Sequence, residues 1–460
     1  MKYNLSISGK HYEQLKNHLF PGDGKEAVAV ALCGRQSNEE QIKLLVNEII
    51  LIPYDQCSIR SSVLIKWSTT TIIPYLEKAA KKGLALLKIH SHPTGFPSFS
   101  NTDDKSDKEL FSSVFGWMEN EEPHASAIML PDGKIIGRII NSDLTMKSID
   151  KINVVGDDLK FWFSDEKSAM EEFELRTVQA FGLGTTNKLK RLKIAVVGCS
   201  GTGSPVIEQL TRLGVGHLVL IDPDKVEKKN LNRIFNSTMN DALKNRYKVN
   251  VLKKAIQKIG LGTIVTAFNK NIYHSTKIIN EIASCDLIFG CVDSIDGRHL
   301  LNQIATFYLI PYFDLGIKLI SDKKGGIDQI MGTVHYIQPG GGSLRTRGVY
   351  SDEQLRAASM QRISPEYYDE QKKAGYIVDV VVESPAVISI NTQIASMAVN
   401  DFLARIHPFK YDPNSQFAIN RISFTDSYFQ HEQDGETDDY LKKFAGRGDL
   451  KPLLNMSSFN

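Results

Sequence analysis

A short apolar run followed at once by a glycine cluster is the feature that most restricts how this 460-residue chain can fold. Residues 194–197 read Ile-Ala-Val-Val, and residues 198–203 read Gly-Cys-Ser-Gly-Thr-Gly. Helical spacing then continues to Leu213, so a strand, a tight turn and a helix are predicted in that order. Backbone N–H groups at the start of such a helix suit a phosphate group. The segment predicts a nucleotide site at the end of a buried strand, with Gly198, Gly201 and Gly203 lining the turn.

The chain after residue 193 continues to alternate between strand and helix. An apolar run at 218–221 ends in Asp222, whose carboxylate could accept the hydroxyls of a ribose. A helix is predicted near 247–259, a strand at 287–289, and a further helix after Pro385. This alternation predicts a doubly wound parallel α/β sheet, typical of Rossmann-like folds.

Three charged residues downstream distinguish a triphosphate site from a dehydrogenase site. Arg233 and Lys248 supply cations for a triphosphate, and Asp293 follows the strand at 287–289, where it can hold magnesium. A hydride-transfer site needs neither cations for a triphosphate nor a carboxylate for magnesium. The sequence therefore favours ATP over NAD as the nucleotide.

Residues 170–450 resemble the ThiF/MoeB/HesA family, the adenylating fold of ubiquitin-activating enzymes. The resemblance is carried by Leu-Gly-Val-Gly at 213–216, by the run from Asp222 to Arg233, and by the segment from Asp293 through Arg298 to Asn302. It implies adenylation of the C-terminal glycine of a ubiquitin-like protein, a small β-grasp fold. It also implies ATP–Mg²⁺ binding by Gly198, Gly201, Gly203, Asp222, Asn230, Arg233, Lys248 and Asp293. Arg176 matches an arginine that reaches the ATP of the other subunit, so a homodimer is implied.

The first 150 residues form a different pattern, with strand-like runs typical of an α+β domain. His90 and His92 are two positions apart at the end of one such run, so their side chains leave the same face. Together with Asp103 they make three zinc ligands and leave the fourth position open, as in a catalytic site. Ser100 is placed to hydrogen-bond a developing oxyanion.

The spacing His-Ser-His-Pro…Ser-x-x-Asp resembles the motif of the JAB/MPN (JAMM) zinc metalloproteases, over roughly residues 10–145. In that family a glutamate just ahead of an apolar run is the general acid/base. Glu26, before the apolar run 27–30, is the best match, and Glu48 is a weaker candidate. The resemblance implies a zinc isopeptidase activity in this domain.

The distribution of cysteines departs from the adenylating family. All five cysteines precede residue 292, and residues 343–346 read Ser-Leu-Arg-Thr where relatives show Cys-Leu-Arg-Cys. We therefore expect no structural zinc there, and no internal thioester, because a hydroxyl without a base is a poor acyl acceptor. Three explanations stay open: direct transfer to a partner's thiol or amine, a thioester on an accessory protein, or a natural cysteine replaced in this sequence. We favour the first two.

Domain boundaries and partners follow from length and charge. A chain this long exceeds one core, and we expect a domain at 1–150, a linker at 151–172, and a second domain at 173–460 with a crossover loop at about 340–385. A net charge of +2 gives no argument for nucleic acid or a membrane surface as partner. The sequence contains no span-length apolar run and no apolar targeting core, so we expect a cytoplasmic protein.

These patterns predict a bifunctional enzyme of a bacterial ubiquitin-like system, which trims or deconjugates a modifier and adenylates its C-terminal glycine. A conjugating enzyme is a further expected partner, and a role in anti-phage defence is expected by analogy with operons that pair such domains. One alternative is activation of a sulfur-carrier protein for cofactor or cysteine synthesis. Another is a modifier-binding protein in which one domain is inactive.

Overall fold

The computed structural model describes residues 1–118, 120–165, 170–322, 326–373 and 387–456. The chain divides into two compact units. The first comprises Met1–Glu166, Phe307–Leu309 and Lys443–Asn460, and the second comprises Lys167–Thr306 and Ile310–Lys442. Within the described residues, no helix is both long enough and apolar enough to cross a membrane.

The first unit is built on a mixed sheet with helices against it. Its described strands are β1 (Lys2–Ser8), β2 (Val28–Ser37), β3 (Gln41–Leu51), β4 (Cys57–Arg60), β5 (Ile65–Trp67), β6 (Ala85–Ser91), β7 (His124–Met129), β8 (Ile135–Ile140), β9 (Met146–Ser148), β10 (Lys151–Val155) and β11 (Leu159–Phe163). Its described helices are α1 (Gly9–Leu19), α2 (Ile73–Lys82) and α3 (Asn101–Met118). Nine strands form one sheet in the order β11-β10-β1-β3-β2-β6-β7-β8-β9, and β4 and β5 form a separate hairpin.

Both faces of the sheet are buried around β2, which explains the unbroken apolar run in its sequence. Ala29 and Ala31 lie in one apolar cluster together with residues of α1. Val30 and Leu32 lie in a second cluster, against residues of α2 and α3. Successive side chains of a strand point to opposite faces, so a strand between two layers must be apolar throughout.

The linker predicted at 151–172 is wrong for its first half. β10 pairs in parallel with β1, and β11 pairs antiparallel with β10, so these residues belong to the sheet of the first unit. All four residues from Ile152 to Val155 are buried, including the polar Asn153. The apolar run is short and charged residues lie on either side of it, so the segment resembled a connection in the sequence.

A segment from the end of the chain completes the same unit. We call residues 445–449 the C-terminal strap. Asn47 donates from Nδ2 to the carbonyl of Ala445 at 2.7 Å, and the N–H of Asp449 donates to the carbonyl of Arg35 at 2.8 Å. β6 pairs with β2 only as far as Cys33, so the strap lies beside the part of β2 that β6 does not reach.

The second unit contains the predicted α/β sheet. Its described strands are β12 (Lys193–Val197), β13 (His217–Ile221), β14 (Ile264–Phe268), β15 (Leu287–Gly290), β16 (Tyr312–Ser321), β17 (Ile327–Ile337), β18 (Ile419–Ser423) and β19 (Tyr428–Glu432). The described helices are α4 (Leu175–Leu189), α5 (Gly203–Arg212), α6 (Met239–Leu243), α7 (Lys248–Ile259), α8 (Thr276–Ala283), α9 (Ile295–Phe307), α10 (Asp352–Ile363), α11 (Pro365–Lys373) and α12 (Ile388–Ile406).

The strand order of this sheet is β14-β13-β12-β15-β16-β17-β18-β19. The pairs from β14 to β16 are parallel, which confirms the doubly wound α/β class. β17, β18 and β19 extend it as an antiparallel meander, which the sequence analysis did not predict. The crossover loop predicted at about 340–385 contains α10 and α11, and its last part, from residue 374, lies outside the described residues.

Candidate functional sites

The first candidate site is a cluster of two histidines and one aspartate in the N-terminal unit. His90 is the last but one residue of β6, His92 directly follows that strand, and Asp103 lies in the first turn of α3. The Nε2 atoms of the two histidines are 3.1 Å apart. Asp103 places Oδ1 3.0 Å from Nε2 of His90 and Oδ2 3.6 Å from Nε2 of His92. Among the described residues, this is the group whose donor atoms converge as metal ligands do.

This donor set fits zinc. Ligand atoms of a tetrahedral zinc site are roughly 3.3 Å apart, given bonds of about 2.0–2.1 Å, and the three distances above bracket that value. Nδ1 of His92 lies 2.8 Å from the carbonyl oxygen of Phe96, which can only accept, so Nδ1 carries the proton and Nε2 keeps its lone pair. Burial lowers the pKa of His90 to about 4, which keeps that imidazole neutral, as metal binding requires.

Ser100 contacts the aspartate of this cluster. Its hydroxyl and its backbone N–H both donate to Oδ2 of Asp103 at 2.7 Å, and the N–H of Asp103 donates back to the hydroxyl at 3.2 Å. In this arrangement Ser100 orients the carboxylate. The oxyanion contact stays a prediction.

Glu26 is buried two residues before β2, within electrostatic reach of His92 and Asp103. Its peptide group is held by the segment that contains β4: its N–H donates to the carbonyl of Ser61 at 2.7 Å, and Arg60 donates to its carbonyl at 2.8 Å. Burial raises the pKa of Glu26 to about 7; His92 opposes this rise and Asp103 adds to it. A carboxylate with a pKa near neutrality is suited to take up and release a proton.

Glu48, the weaker candidate, lies in a different environment. It is on β3, where it forms an ion pair with Lys78 of α2. None of its contacts among the described residues joins it to the histidine cluster.

The second candidate site is the glycine loop between β12 and α5. Gly198 has φ of +89°, in the left-handed region that favours glycine. A Cβ atom on Gly203 would lie 1.8 Å from the carbonyl oxygen of Gly198, and one on Gly201 would lie 2.1 Å from the side-chain nitrogen of Asn391. A side chain at Gly203 would therefore collide with the backbone, whereas one at Gly201 would require the Asn391 side chain to move.

Asp222 is at the base of this loop. One of its oxygens accepts from the N–H of Cys199 at 2.7 Å, and the other accepts from the N–H of Asp224 at 2.9 Å. Burial raises the pKa of Asp222, and Lys248 opposes that rise. In this structure the Asp222 carboxylate binds the backbone of the glycine loop. A contact between Asp222 and the ribose of ATP stays a prediction.

Lys248 and Arg233 approach the same loop. Nζ of Lys248, at the start of α7, is 2.8 Å from Oδ2 of Asp224 and 3.7 Å from Oδ1 of Asp222. Arg233 donates to the carbonyl of Lys229 at 3.0 Å. Its Cδ atom would lie 3.2 Å from a Cβ atom on Gly201, so its stem passes over the loop.

Asn230 stabilises the turn that carries Arg233. It is buried, and its side-chain oxygen accepts from the N–H of Glu227 at 3.1 Å. The structure gives Asn230 a role in turn formation, and direct contact with ATP stays a prediction.

Asp293 is exposed at the carboxyl end of β15, the strand beside β12. Adjacent parallel strands bring their carboxyl ends to one edge of a sheet, so Asp293 and the glycine loop share that edge. Arg298 donates from Nε to the carbonyl of Val292 at 3.2 Å and pairs through Nη1 with the buried Asp314 at 3.0 Å. A magnesium ion that arrives with ATP needs only one or two protein carboxylates, which a single aspartate here can satisfy.

Arg176 is exposed near the start of α4 and donates to Oε1 of Gln179 at 3.1 Å. Its contact with a second subunit stays a prediction.

Residues 342–347, which include the Ser-Leu-Arg-Thr segment, are held by hydrogen bonds to residues 434–438; we call this the polar clasp. The hydroxyl of Ser343 donates to Oδ2 of Asp438 at 2.7 Å, and Arg345 pairs with the same oxygen at 3.2 Å. Arg347 pairs with Asp434 at 2.8 Å. Neither a hydroxyl nor an arginine side chain can take the place of the thiolate ligands of a structural zinc site.

Sequence reasoning missed two polar contacts of the second unit. Asn391 lies on α12 against the glycine loop, and Asp314 is buried between Arg298 and Tyr312, whose hydroxyl donates to it at 2.7 Å. A charged residue among apolar neighbours in a strand is the available signal at Asp314. Asn391 gives no such signal, because α12 contains several other polar residues.

Comparison with known proteins matches two segments of the chain to two different families. The model of the ThiF family matches residues 174–436, more than half of the chain. A second family model, described as prokaryotic homologs of the JAB domain, matches residues 8–131. The JAB-like region and the ThiF adenylation fold predicted from the sequence are both confirmed.

Curated relatives match part of the chain. It is 29% identical over 171 residues to ubiquitin-like modifier-activating enzyme 5 of Bombyx mori, covering 34% of this chain and 41% of that protein. The protein of the same name from Mus musculus is 32% identical over 126 residues, covering 25% of this chain and 30% of that protein. The chain thus spans less than half the length of these relatives. Among solved structures, E. coli MccB with MccA-N7isoASN is 19% identical, with a TM-score of 0.45 over 59% of this chain and 74% of that chain.

Proposed function

The chain belongs to the ThiF family, and we propose that it is a bifunctional enzyme of a prokaryotic ubiquitin-like modification system. The N-terminal unit would cleave at the C-terminus of the modifier, in a precursor or a conjugate. The second unit would adenylate the carboxylate of the exposed C-terminal glycine. The observation that carries the proposal is the His90–His92–Asp103 cluster beside the buried Glu26, on the same chain as a ThiF glycine loop.

Peptide cleavage would rest on Glu26 and the three metal-binding side chains. Zinc held by His90, His92 and Asp103 supplies, when bound, an acidified water and an electrophile for the scissile carbonyl. Glu26 would accept a proton from the attacking water and deliver it to the leaving amine, which its pKa of about 7 permits at neutral pH. Ser100 keeps the Asp103 carboxylate oriented during this cycle.

Adenylation would take place at the edge of the second sheet. The C-terminal carboxylate of the modifier attacks the α-phosphorus of ATP, and pyrophosphate leaves. Lys248 and Arg233 provide positive charge beside the loop for the triphosphate, and Asp293 would hold the magnesium ion that accompanies it. In a homodimer, Arg176 of the partner subunit would add a further charge to the same triphosphate.

The two reactions connect because the product of the first is the substrate of the second. Hydrolysis of a peptide or isopeptide bond leaves a free carboxylate, which adenylation consumes. The printed name of the relatives, ubiquitin-like modifier-activating enzyme 5, supports a modifier as substrate. The chain has no cysteine after Cys291, so the acyl group of the adenylate would pass to a thiol or amine of a partner such as a conjugating enzyme. Defence against phage is the biological role we propose for such a system.

The test uses the full chain, ATP, magnesium and a small β-grasp protein from a neighbouring gene, with intact mass as the readout. The intact chain should shorten the extended precursor and then form the acyl-adenylate. Asp103→Ala should abolish shortening and spare adenylation of a pre-trimmed modifier, and Asp293→Ala should do the reverse. Glu48→Gln is the matched control and should retain both activities.

The outcomes separate the alternatives. If both aspartate variants lose only affinity for the modifier, the chain is a binding protein and the proposal is wrong. If the adenylate accepts sulfur from a sulfurtransferase and no conjugate forms, the substrate is a sulfur carrier.

A further inference from the structure

Asp103 lies in a part of α3 that is not held in place by apolar packing. Between Asn101 and Leu110, Asp107 is the one fully buried side chain among the described residues. The apolar contacts of the helix begin with the partly buried Leu110 and continue through Phe111 and Val114. The first two turns of α3, which include Asp103, therefore need another anchor.

That anchor is a buried charge network, which we call the Lys88–Asp107–Arg138 network. Lys88 of β6 places Nζ 2.7 Å from Oδ1 of Asp107, and both side chains are almost fully buried, 4% and 0% exposed. Arg138 of β8 donates to Oδ2 of Asp107 from Nη2 at 2.7 Å and from Nε at 3.1 Å. Ser126 of β7 pairs in register with both Lys88 and Arg138, so the two cations occupy one row across three strands.

On both β6 and α3, the network lies one side-chain repeat away from the metal-binding cluster. Lys88 is two residues before His90 on the same face of β6, roughly 7 Å along the strand. Asp107 is four residues after Asp103 on the same face of α3, roughly 6 Å along the helix. Tightening or loosening the network therefore changes how far Asp103 stands from the two histidines.

Arg138 also contacts the residues on either side of Ser100 and Asp103. It forms an ion pair with Asp104, and its guanidinium lies over the ring of Phe99 at 3.8 Å. The same side chain thus holds the loop that enters α3 and the first turn of the helix. Buried ion pairs contribute little net stability compared with apolar residues of similar size, so a network in this place calls for another purpose.

We propose that the Lys88–Asp107–Arg138 network positions Asp103 against His90 and His92, and so sets the zinc affinity of the cluster. This inference rests on the metal site of the proposed function. Lys88, Asp107 and Arg138 are positioning residues, since they act through β6 and α3 and do not contact substrate.

The experiment measures the zinc affinity of the full chain by competition with a chromogenic chelator. Asp107→Asn should weaken zinc binding about 10–100-fold, the usual effect of removing support from a metal ligand. Val114→Ala is the matched control: it removes a buried contact from the same helix, farther from Asp103, and should lower the unfolding midpoint with unchanged zinc affinity.

A second variant keeps the test independent of folding. Lys88→Met and Asp107→Leu combined with Arg138→Met replace the whole network by apolar residues, so no buried charge loses its partner. This variant should preserve stability but still weaken zinc binding at least tenfold. Wild-type affinity in a folded variant of either kind would overturn the proposal. If neither variant folds, the network serves folding rather than positioning and the proposal is rejected. A wild-type chain that binds no zinc would instead contradict the proposed function itself.

Discussion

Truncation of Asp438 tests whether the polar clasp takes over the task of a structural metal. Asp438 is 2% exposed and accepts from the Ser343 hydroxyl at 2.7 Å, the N–H of Leu441 at 2.9 Å and the N–H of Tyr440 at 3.1 Å. Arg345 adds an ion pair at 3.2 Å, but its side chain is 35% exposed and can return to water.

The magnitude follows from the donors that Asp438→Ala leaves without an acceptor. Ser343 and Leu441 are buried, and each unsatisfied buried donor costs about 1–3 kcal/mol, so the variant should lose roughly 2–6 kcal/mol of unfolding free energy. The exposed neighbour Asp439, which pairs with Lys442, is the matched control. Asp439→Ala should change the unfolding free energy by no more than about 0.5 kcal/mol.

The contribution of Asp438 should also depend on pH. Burial raises the pKa of Asp438, but the Ser343 hydroxyl, the N–H of Leu441 and Arg345 outweigh burial and hold it below its ordinary value. A carboxyl group whose folded-state pKa is depressed stabilises the protein above its unfolded pKa and loses that effect as pH falls. The difference between wild type and Asp438→Ala should therefore shrink in acid.

The assay is urea unfolding of the full chain, with and without a strong chelator. ATP should raise the midpoint of the unfolding transition that belongs to the second unit, so this response identifies which transition it is. We expect the chelator to leave this midpoint unchanged. A lower midpoint on chelation, or a loss below about 1 kcal/mol for Asp438→Ala, would refute the reasoning.

Three further outcomes are expected. Glu26→Gln should slow peptide cleavage about 10²–10⁴-fold at unchanged zinc content, whereas Glu48→Gln should leave the cleavage rate unaltered. Gly203→Ala should abolish ATP–pyrophosphate exchange and spare cleavage, because its Cβ would lie 1.8 Å from the carbonyl oxygen of Gly198. His124 is fully buried, and burial lowers its pKa from 6.5 to about 3. As pH falls, His124 therefore becomes protonated in the unfolded chain before it does so in the folded protein. Urea titrations should show that wild type loses about 2 kcal/mol more stability between pH 7 and pH 5 than His124→Gln does.

The parts of the sites that lie close together in sequence could be predicted before the structure. His90, His92 and Asp103 lie within one strand, one loop and one helical turn, so their spacing alone brings them together. The glycine loop is local in the same sense, and the parallel strands around it follow from alternating patterns.

Contacts between distant segments could not be predicted in that way. Nothing in the period or spacing of residues 434–438 indicates that Asp434 and Asp438 hold residues 342–347. The same applies to Asn391 against Gly201, and to β10 beside β1. Tertiary pairing decides these contacts, and it leaves no local pattern in the chain.

The C-terminal strap makes the N-terminal unit depend on residues that are translated long after its strands. More than 400 residues separate β2 from Asp449, whose N–H binds the carbonyl of Arg35. A ribosome that adds about 5–20 residues per second needs roughly 15–60 s between the end of β11 and the strap. During that interval the far end of β2 has backbone groups without their final partner, and a chaperone or another nascent chain could pair with them. Translation rate should thus influence the yield of the folded N-terminal unit more than that of a domain whose sheet is complete within a continuous stretch of sequence.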